Sequence, residues 1–240
     1  MKKYNKTLTS KIKKIETIFQ EQYEIITPNI EKIIDEMMQN EEGQQTIAEI
    51  IVQRVIIKKE KPQPIDGLIY QKIINENNTD IKKQLINKLP QGLLDFKSYT
   101  KVNYQKLQNL LVKQKFQEAD TLTQKYLCEL TQQNNNSKKN WLYFTDIQFL
   151  SQEDLFILDS LWKIYSKGKF CFSIQKKIWI KNNRNWDKLW ENIYWLKHGI
   201  MKRYPEEFIW TIDAPEGHLP LFNQLRGTQT LSYLFHNIKW

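Results

Sequence analysis

At 240 residues the chain is long enough to bury one or two cores. Its 36 Lys and Arg against 27 Asp and Glu give a net charge of +9, which suits an anionic partner such as nucleic acid, an acidic membrane surface or a carboxylate-bearing ligand; a solvated Lys-rich surface accounts for it equally well. Cys128 and Cys171 are far apart and in no Cys-x-x-Cys spacing, which argues against a disulfide framework or a zinc site and for a reducing compartment; no run approaches the ~20 apolar residues of a membrane span, so a soluble protein is expected.

The first 19 residues are Lys-rich without the Arg and Ser enrichment of a transit peptide, and Ile12, Ile15, Ile18 and Phe19 form the stripe of a folded helix. A second stripe runs through Ile30, Ile33, Ile34, Met37 and Met38, with Pro28 near its start. A third runs through Ile47, Ile50, Ile51 and Val55, extending to Ile57, and the turn from Lys61 to Gly67 ends it. Helices over Leu68–Ile74 and Ile81–Leu89 follow, separated by the polar stretch 75–80, and Pro90 closes a helical bundle over residues 1–95. Nothing in it carries chemistry, so it reads as an interaction module.

Residues 96–102 form the predicted linker to a second domain over residues 102–240. Tyr104, Leu107, Leu110 and Leu111, a break near Lys113, then Phe116, Ala119, Leu122, Tyr126 and Leu130 describe an αα-hairpin, and residues 132–140 are too polar for anything but an exposed loop. All eight tryptophans lie at or beyond Trp141, and the basic balance lies there too: residues 1–99 carry 16 Lys and Arg against 14 Asp and Glu, and residues 100–240 carry 20 against 13. The chain's densest apolar stretch, Asp154 to Trp179, opens with Ser151 capping toward Asp154, continues through Leu155, Leu158, Trp162 and Tyr165, and stops at Gly168. A short helix through Ile174 and Ile178 packs back on it. Helical spacing makes Trp162, Phe170, Phe172 and Trp179 core residues. Trp186, Trp190 and Ile193 share another face after the turn 182–185. Beyond Trp195 the period fades into an extended aromatic loop, through Lys197-His198-Gly199, Phe208, Trp210 and Ile212 to Pro220, of the kind that more often binds than connects. Leu231, Leu234, Phe235 and Ile238 mark a final helix.

The run Asp154-Leu155, Ile157, Asp159, Leu161-Trp162, Tyr165-Ser166, Gly168, Phe170, Phe172-Ser173, Gln175 and Ile178-Trp179, with Ala214-Pro215-x-Gly217-His218-Leu219-Pro220, resembles the genomes-uncoupled (GUN-four) tetrapyrrole-binding proteins. Tyr104-x-x-Leu107-x-x-Leu110-Leu111 and Phe116-x-x-Ala119-Asp120 look like the start of the same domain, so the similarity spans about residues 102–225. Asp66-Gly67-Leu68-x-Tyr70 and Leu89-Pro90-x-Gly92 look similar to the end of the helical bundle that precedes the core in cyanobacterial members. The resemblance implies an all-α protein: an N-terminal helical bundle, then a mostly helical cupped-hand core with long loops. It implies a non-enzymatic carrier that binds protoporphyrin IX and Mg-protoporphyrin IX and stimulates magnesium chelatase through its large porphyrin-binding subunit. The chain departs from the family where Leu150-Ser151 replaces Phe-Pro, Cys171 replaces Gly, and Tyr194-Trp195-Leu196 stands for Gly-Trp-Arg.

A porphyrin is a flat apolar disc with two propionates, so its site needs apolar walls and cations at one edge. Burying about 400 Å² of it contributes on the order of 10 kcal/mol before the costs of immobilisation. Candidate walls are Phe149, Leu150, Trp195, Tyr204, Phe208, Trp210 and Leu219, and candidate propionate partners are Lys197, Arg203 and Arg226. His218 lies in the same motif; ordering its own turn is the commoner role of such a residue, with axial ligation the rarer one. With only His198, His218 and His236 and no paired-ligand spacing, no protein metal site is predicted. There is no phosphate loop, nucleophile elbow or Ser-His-Asp set, so no enzyme is predicted. Alternatives are a relative of the same fold that prefers a linear bilin, a basic nucleic-acid binder, for which no RNA or DNA motif is present, and a ligand-free adaptor. The Ile, Asn and Lys usage fits a plastid-made protein, monomeric in the stroma, with loose peripheral membrane association allowed for and a cyanobacterial cytoplasm as second choice.

Overall fold

The computed structural model describes residues 6–21, 23–76, 79–94, 96, 102–132, 141–221 and 228–237. It divides into two compact units, residues 1–95 and 96–240. The first holds α1 (Lys6–Glu21), α2 (Pro28–Met38), α3 (Glu41–Val52), a π-helical turn (Gln53–Ile57), α4 (Pro64–Asn75) and α5 (Thr79–Lys88). Thr27 and Asn40 cap α2 and α3 with side-chain oxygens. α3 is the hub, packing on α2, α4 and α5. The predicted turn 61–67 is a correction. Pro64 occupies a first-turn position of α4, where its missing N–H costs nothing, and Asp66 accepts the Gln63 N–H at 2.8 Å. Gly67 therefore lies inside the helix. The linker expected at 96–102, apart from residues 96 and 102, and the loop expected at 132–140, apart from residue 132, lie outside the described residues.

The second unit contains α6 (Tyr104–Val112), α7 (Phe116–Thr131), a 3-10 helix (Phe144–Phe149), α8 (Gln152–Tyr165), α9 (Phe172–Lys181), α10 (Trp186–Asn192), a two-strand hairpin and α11 (Gln229–Asn237). The protein is mostly helical, as expected. Ser151 Oγ accepts the Asp154 N–H at 3.0 Å, and Gly168 ends the α8 turn with φ +82°. Trp162, Phe170, Phe172 and Trp179 are all buried. Phe116 stacks on Trp162 and meets Phe170 edge-on, while Trp162 Nε1 donates to Thr123 Oγ1 at 3.0 Å. Asp159 on α8 accepts from the N–H and hydroxyl of Ser173 at 2.8 and 2.7 Å, capping the start of α9 with a carboxylate. Burial pushes that carboxyl up to about 6, against the lowering effect of both Ser173 hydrogen bonds. Among the described residues no helix is long and apolar enough to cross a membrane.

Candidate ligand-binding surface

The segment from Tyr194 to Leu221 is tied down by buried groups along its length. Trp195 is stacked on Trp190 at 5.2 Å, and its Nε1 donates to the His218 carbonyl at 2.8 Å. Gln175 on α9 donates to the carbonyls of Gly217 and Pro220, and Gly217 N–H donates to Lys169 O at 2.8 Å. Gly217 has φ +74°, and a Cβ there would press on Ile178 and Ile193 at 2.9 Å, so this position requires glycine. Asp120 on α7 accepts the Leu221 N–H at 2.7 Å; burial raises its carboxyl to about 8.

His218 is an internal cross-link. Its Nε2 accepts the Ile209 N–H at 3.0 Å, which fixes the proton on Nδ1, and Nδ1–H donates to Ile193 O at 2.6 Å. With both nitrogens occupied it presents no lone pair to a metal in this conformation. Burial holds the imidazole down at about 4, with the Ile193 hydrogen bond opposing and the Lys202 charge adding to the shift. Among the described residues no group of three His, Cys, Asp or Glu is placed to hold a metal ion.

On this frame the extended loop expected after Trp195 contains a tight hairpin. Strand β1 (Leu196–Lys197) pairs with β2 (Ile200–Met201), and His198 and Gly199 both take positive φ, 52° and 76°, the geometry of a two-residue type I′ turn. The hairpin lifts Ile200 into solvent at 70 % exposure. Lys197 and Arg203 are exposed and form no ion pair among the described residues. Lys202 Nζ lies 3.3 Å from the Tyr194 ring centroid, and its partial burial lowers its pKa. That contact favours Tyr194 where the resembled family has Gly, although Tyr194 holds a left-handed φ of 62° that glycine adopts without strain.

The candidate residues therefore separate. Trp195, Tyr204, Phe208, Trp210 and His218 come together through ring contacts. Of these, Tyr204 is exposed at 43 % and Trp210 is half-buried. Tyr204 OH also lies 3.3 Å from Thr121 Oγ1 on α7. Leu150, Trp195, Phe208, His218 and Leu219 sit in the packed interior, and of these Phe208 touches the Trp210 ring directly. Phe149 is exposed at 44 % and belongs to the 3-10 helix, which packs on α7 and α11. Arg226 lies outside the described residues. Sequence reasoning missed Ile200, Met201 and Lys202; the Lys197-His198-Gly199 run was the available signal, since Gly at the second turn position is what a type I′ turn demands.

Residues 97–237 match the family model described as GUN4-like. The chain belongs to the GUN4-like family. It is 43 % identical over 194 residues to the ycf53 protein of Pyropia yezoensis, covering 81 % of each chain. It is 35 % identical over 134 residues to the "Tetrapyrrole-binding protein, chloroplastic" of Arabidopsis thaliana, covering 52 % of this chain and 50 % of that one. The GUN4 structure from Chlamydomonas reinhardtii superimposes with a TM-score of 0.54 at 37 % identity, over 60 % of this chain and 93 % of that one. In this GUN4-like chain the Ala214 to Pro220 motif that carried the resemblance is thus mainly a structural clamp, holding the hairpin and the Tyr204–Trp210 corner in place.

Proposed function

We propose that this protein binds a tetrapyrrole on the surface formed by the 196–201 hairpin and the Tyr204–Trp210 corner, and carries it without chemical change. The observation that supports this most is family membership across residues 97–237, together with a relative named for tetrapyrrole binding. The surface has the matching chemistry: Ile200, Met201, Tyr204 and Trp210 offer apolar contact, Phe149 adds an exposed ring on the 3-10 helix, and Lys197 and Arg203 supply exposed cations for propionates. Protoporphyrin IX and Mg-protoporphyrin IX are the proposed ligands. His218 stays a structural residue, so retention rests on apolar contact and propionate pairing. The proposed role is to stimulate magnesium chelatase through its large porphyrin-binding subunit, as a monomer in the plastid stroma; the chloroplastic relative supports the plastid setting.

Titration with deuteroporphyrin tests this directly, because Trp210 stands at the surface and its quenching reports occupancy. Saturable quenching in the micromolar range is expected, weakened about tenfold in the double variant Lys197→Glu, Arg203→Glu, as for loss of a charge-assisted contact. A flat titration through tens of micromolar, or an unaltered double variant, overturns the reading. Addition to a magnesium chelatase reaction should raise the rate of metal insertion, with the double variant giving less stimulation.

A further inference from the structure

The N-terminal unit holds a pocket of about 490 Å³ bordered by α1, α3, the π-helical turn and the loop that follows, within the size range of small-molecule sites. Arg54 forms part of its wall. The residue is only 8 % exposed, and its guanidinium lies 4.0 Å over the Phe19 ring. Nε donates to the buried Asp66 at 3.2 Å and Nη1 pairs with Glu60. Among the described residues the buried Nη2 has no partner, and neither has Gln63 Oε1, another group of the wall. A guanidinium is built to hold an anion by two parallel hydrogen bonds; here its outer edge is half used.

The group on that outer edge is a side chain of the same loop. Glu60 is 37 % exposed at its side chain, and its second carboxylate oxygen lies 3.9 Å from Lys58 Nζ. The backbone turns back to bring it there: Lys59 takes a left-handed φ of 53°, and Glu60 N–H donates to Arg54 O at 3.0 Å. A non-glycine residue keeps that conformation only where surrounding contacts enforce it. Arg54 itself sits in the π-helical turn, a form that concentrates at functional sites.

We propose that this pocket is a binding site for a small monocarboxylate with an apolar body, whose carboxylate displaces Glu60 and takes the Nη1–Nη2 edge of Arg54. The body would lie along Phe19 and Ile50, which also line the pocket. Exchanging Glu60 for another carboxylate leaves the charge balance unchanged. A doubly charged phosphate does not, since Asp66 already pairs with Arg54 and Glu16 is a further acidic residue of the wall. Glu60 thus acts as a resident competitor that sets the affinity.

Hexanoate is a suitable probe, titrated into the full chain and followed by saturation-transfer NMR and calorimetry. The wild type should bind hexanoate, and Glu60→Gln, a change on a part-exposed side chain, should bind it about tenfold tighter because the internal carboxylate is gone. Arg54→Lys keeps a charge beside Asp66 but loses the fork and should weaken binding at least about tenfold, with its fold checked by circular dichroism. Inorganic phosphate should not compete. The proposal is overturned if neither wild type nor Glu60→Gln binds hexanoate at tens of millimolar, if Glu60→Gln is no tighter than wild type, if a folded Arg54→Lys binds as well as wild type, or if phosphate competes equally.

Discussion

His218 concentrates the chemistry of the second unit in one ring. It is neutral, fully buried and bonded at both nitrogens, with its folded pKa depressed to about 4 from an unfolded value near 6.5. The unfolded chain therefore binds more protons than the folded one between these values. The stability due to His218 is complete above about pH 6.5 and is lost as pH falls toward 4. Replacement by Phe removes both hydrogen bonds and should destabilise the protein at pH 7, but the gap to wild type should narrow by about 2 kcal/mol between pH 7 and pH 5. Urea unfolding of both proteins at the two pH values measures this, and a constant gap would show that the ring is not held neutral. Asp120, raised to about 8, has the opposite slope: it favours the fold at low pH, so only the difference between the two proteins isolates the histidine. A simpler case is Trp162, whose Nε1 has Thr123 Oγ1 as acceptor. Thr123→Val keeps the shape and strands a buried donor, which should cost about 1–3 kcal/mol in the same assay. Local spacing identified the cap at Ser151 and the core status of Trp162. It could not identify Thr123, Gln175 or Asp120 as partners, because the groups they meet lie 39 to 101 residues away in the chain, and periodicity carries no record of such pairings.

At the scale of elements, the helices with one apolar stripe were legible and the pieces that shape the surface were not. α8 and α9 follow from their three- and four-residue spacing. The 3-10 helix Phe144–Phe149 has no stripe, exposing Phe144 and Phe149 while burying Ile147, so nothing in its pattern distinguishes it from a loop. The start of α4 was hidden for a different reason. Two prolines and a glycine signal a turn, yet Pro64 lies where a helix tolerates proline and Gly67 is one of a nearly continuous run of buried residues from Pro64 to Ile73, where a small residue fits. The hairpin combines both difficulties, having two-residue strands set by backbone twist at His198 and Gly199. Ile200 at its tip contributes little to the core, so Ile200→Ser should shift unfolding by no more than about 0.5 kcal/mol. The same change removes apolar area from the proposed ligand surface and should weaken deuteroporphyrin quenching measurably. If stability falls while quenching is unchanged, the hairpin serves the fold and not the ligand.

For the molecule as a whole, the sequence already separates two chemistries: an aliphatic, nearly charge-balanced first part, and a basic second part that holds every tryptophan. The structure divides at Asp95 and Phe96, and the GUN4-like match begins at residue 97. The aromatic core of the second unit is built around Phe116, whose ring contacts both Trp162 and Phe170, and Tyr104 is bonded through its hydroxyl to Asp154 at 2.6 Å. A solved GUN4 chain is matched over 93 % of its length by 60 % of this one, so a polypeptide of about this unit's extent is a folded protein elsewhere in the family. Residues 96–240 expressed alone should therefore unfold in a single cooperative urea transition and quench with deuteroporphyrin as the full chain does. The same fragment lacks Arg54 and Glu60 and should give no hexanoate signal. The two ligands thus assign the two sites independently. Loss of porphyrin quenching in a cooperatively folded fragment would mean that residues 1–95 contribute to that site, and hexanoate binding retained by the fragment would remove Arg54 from its own.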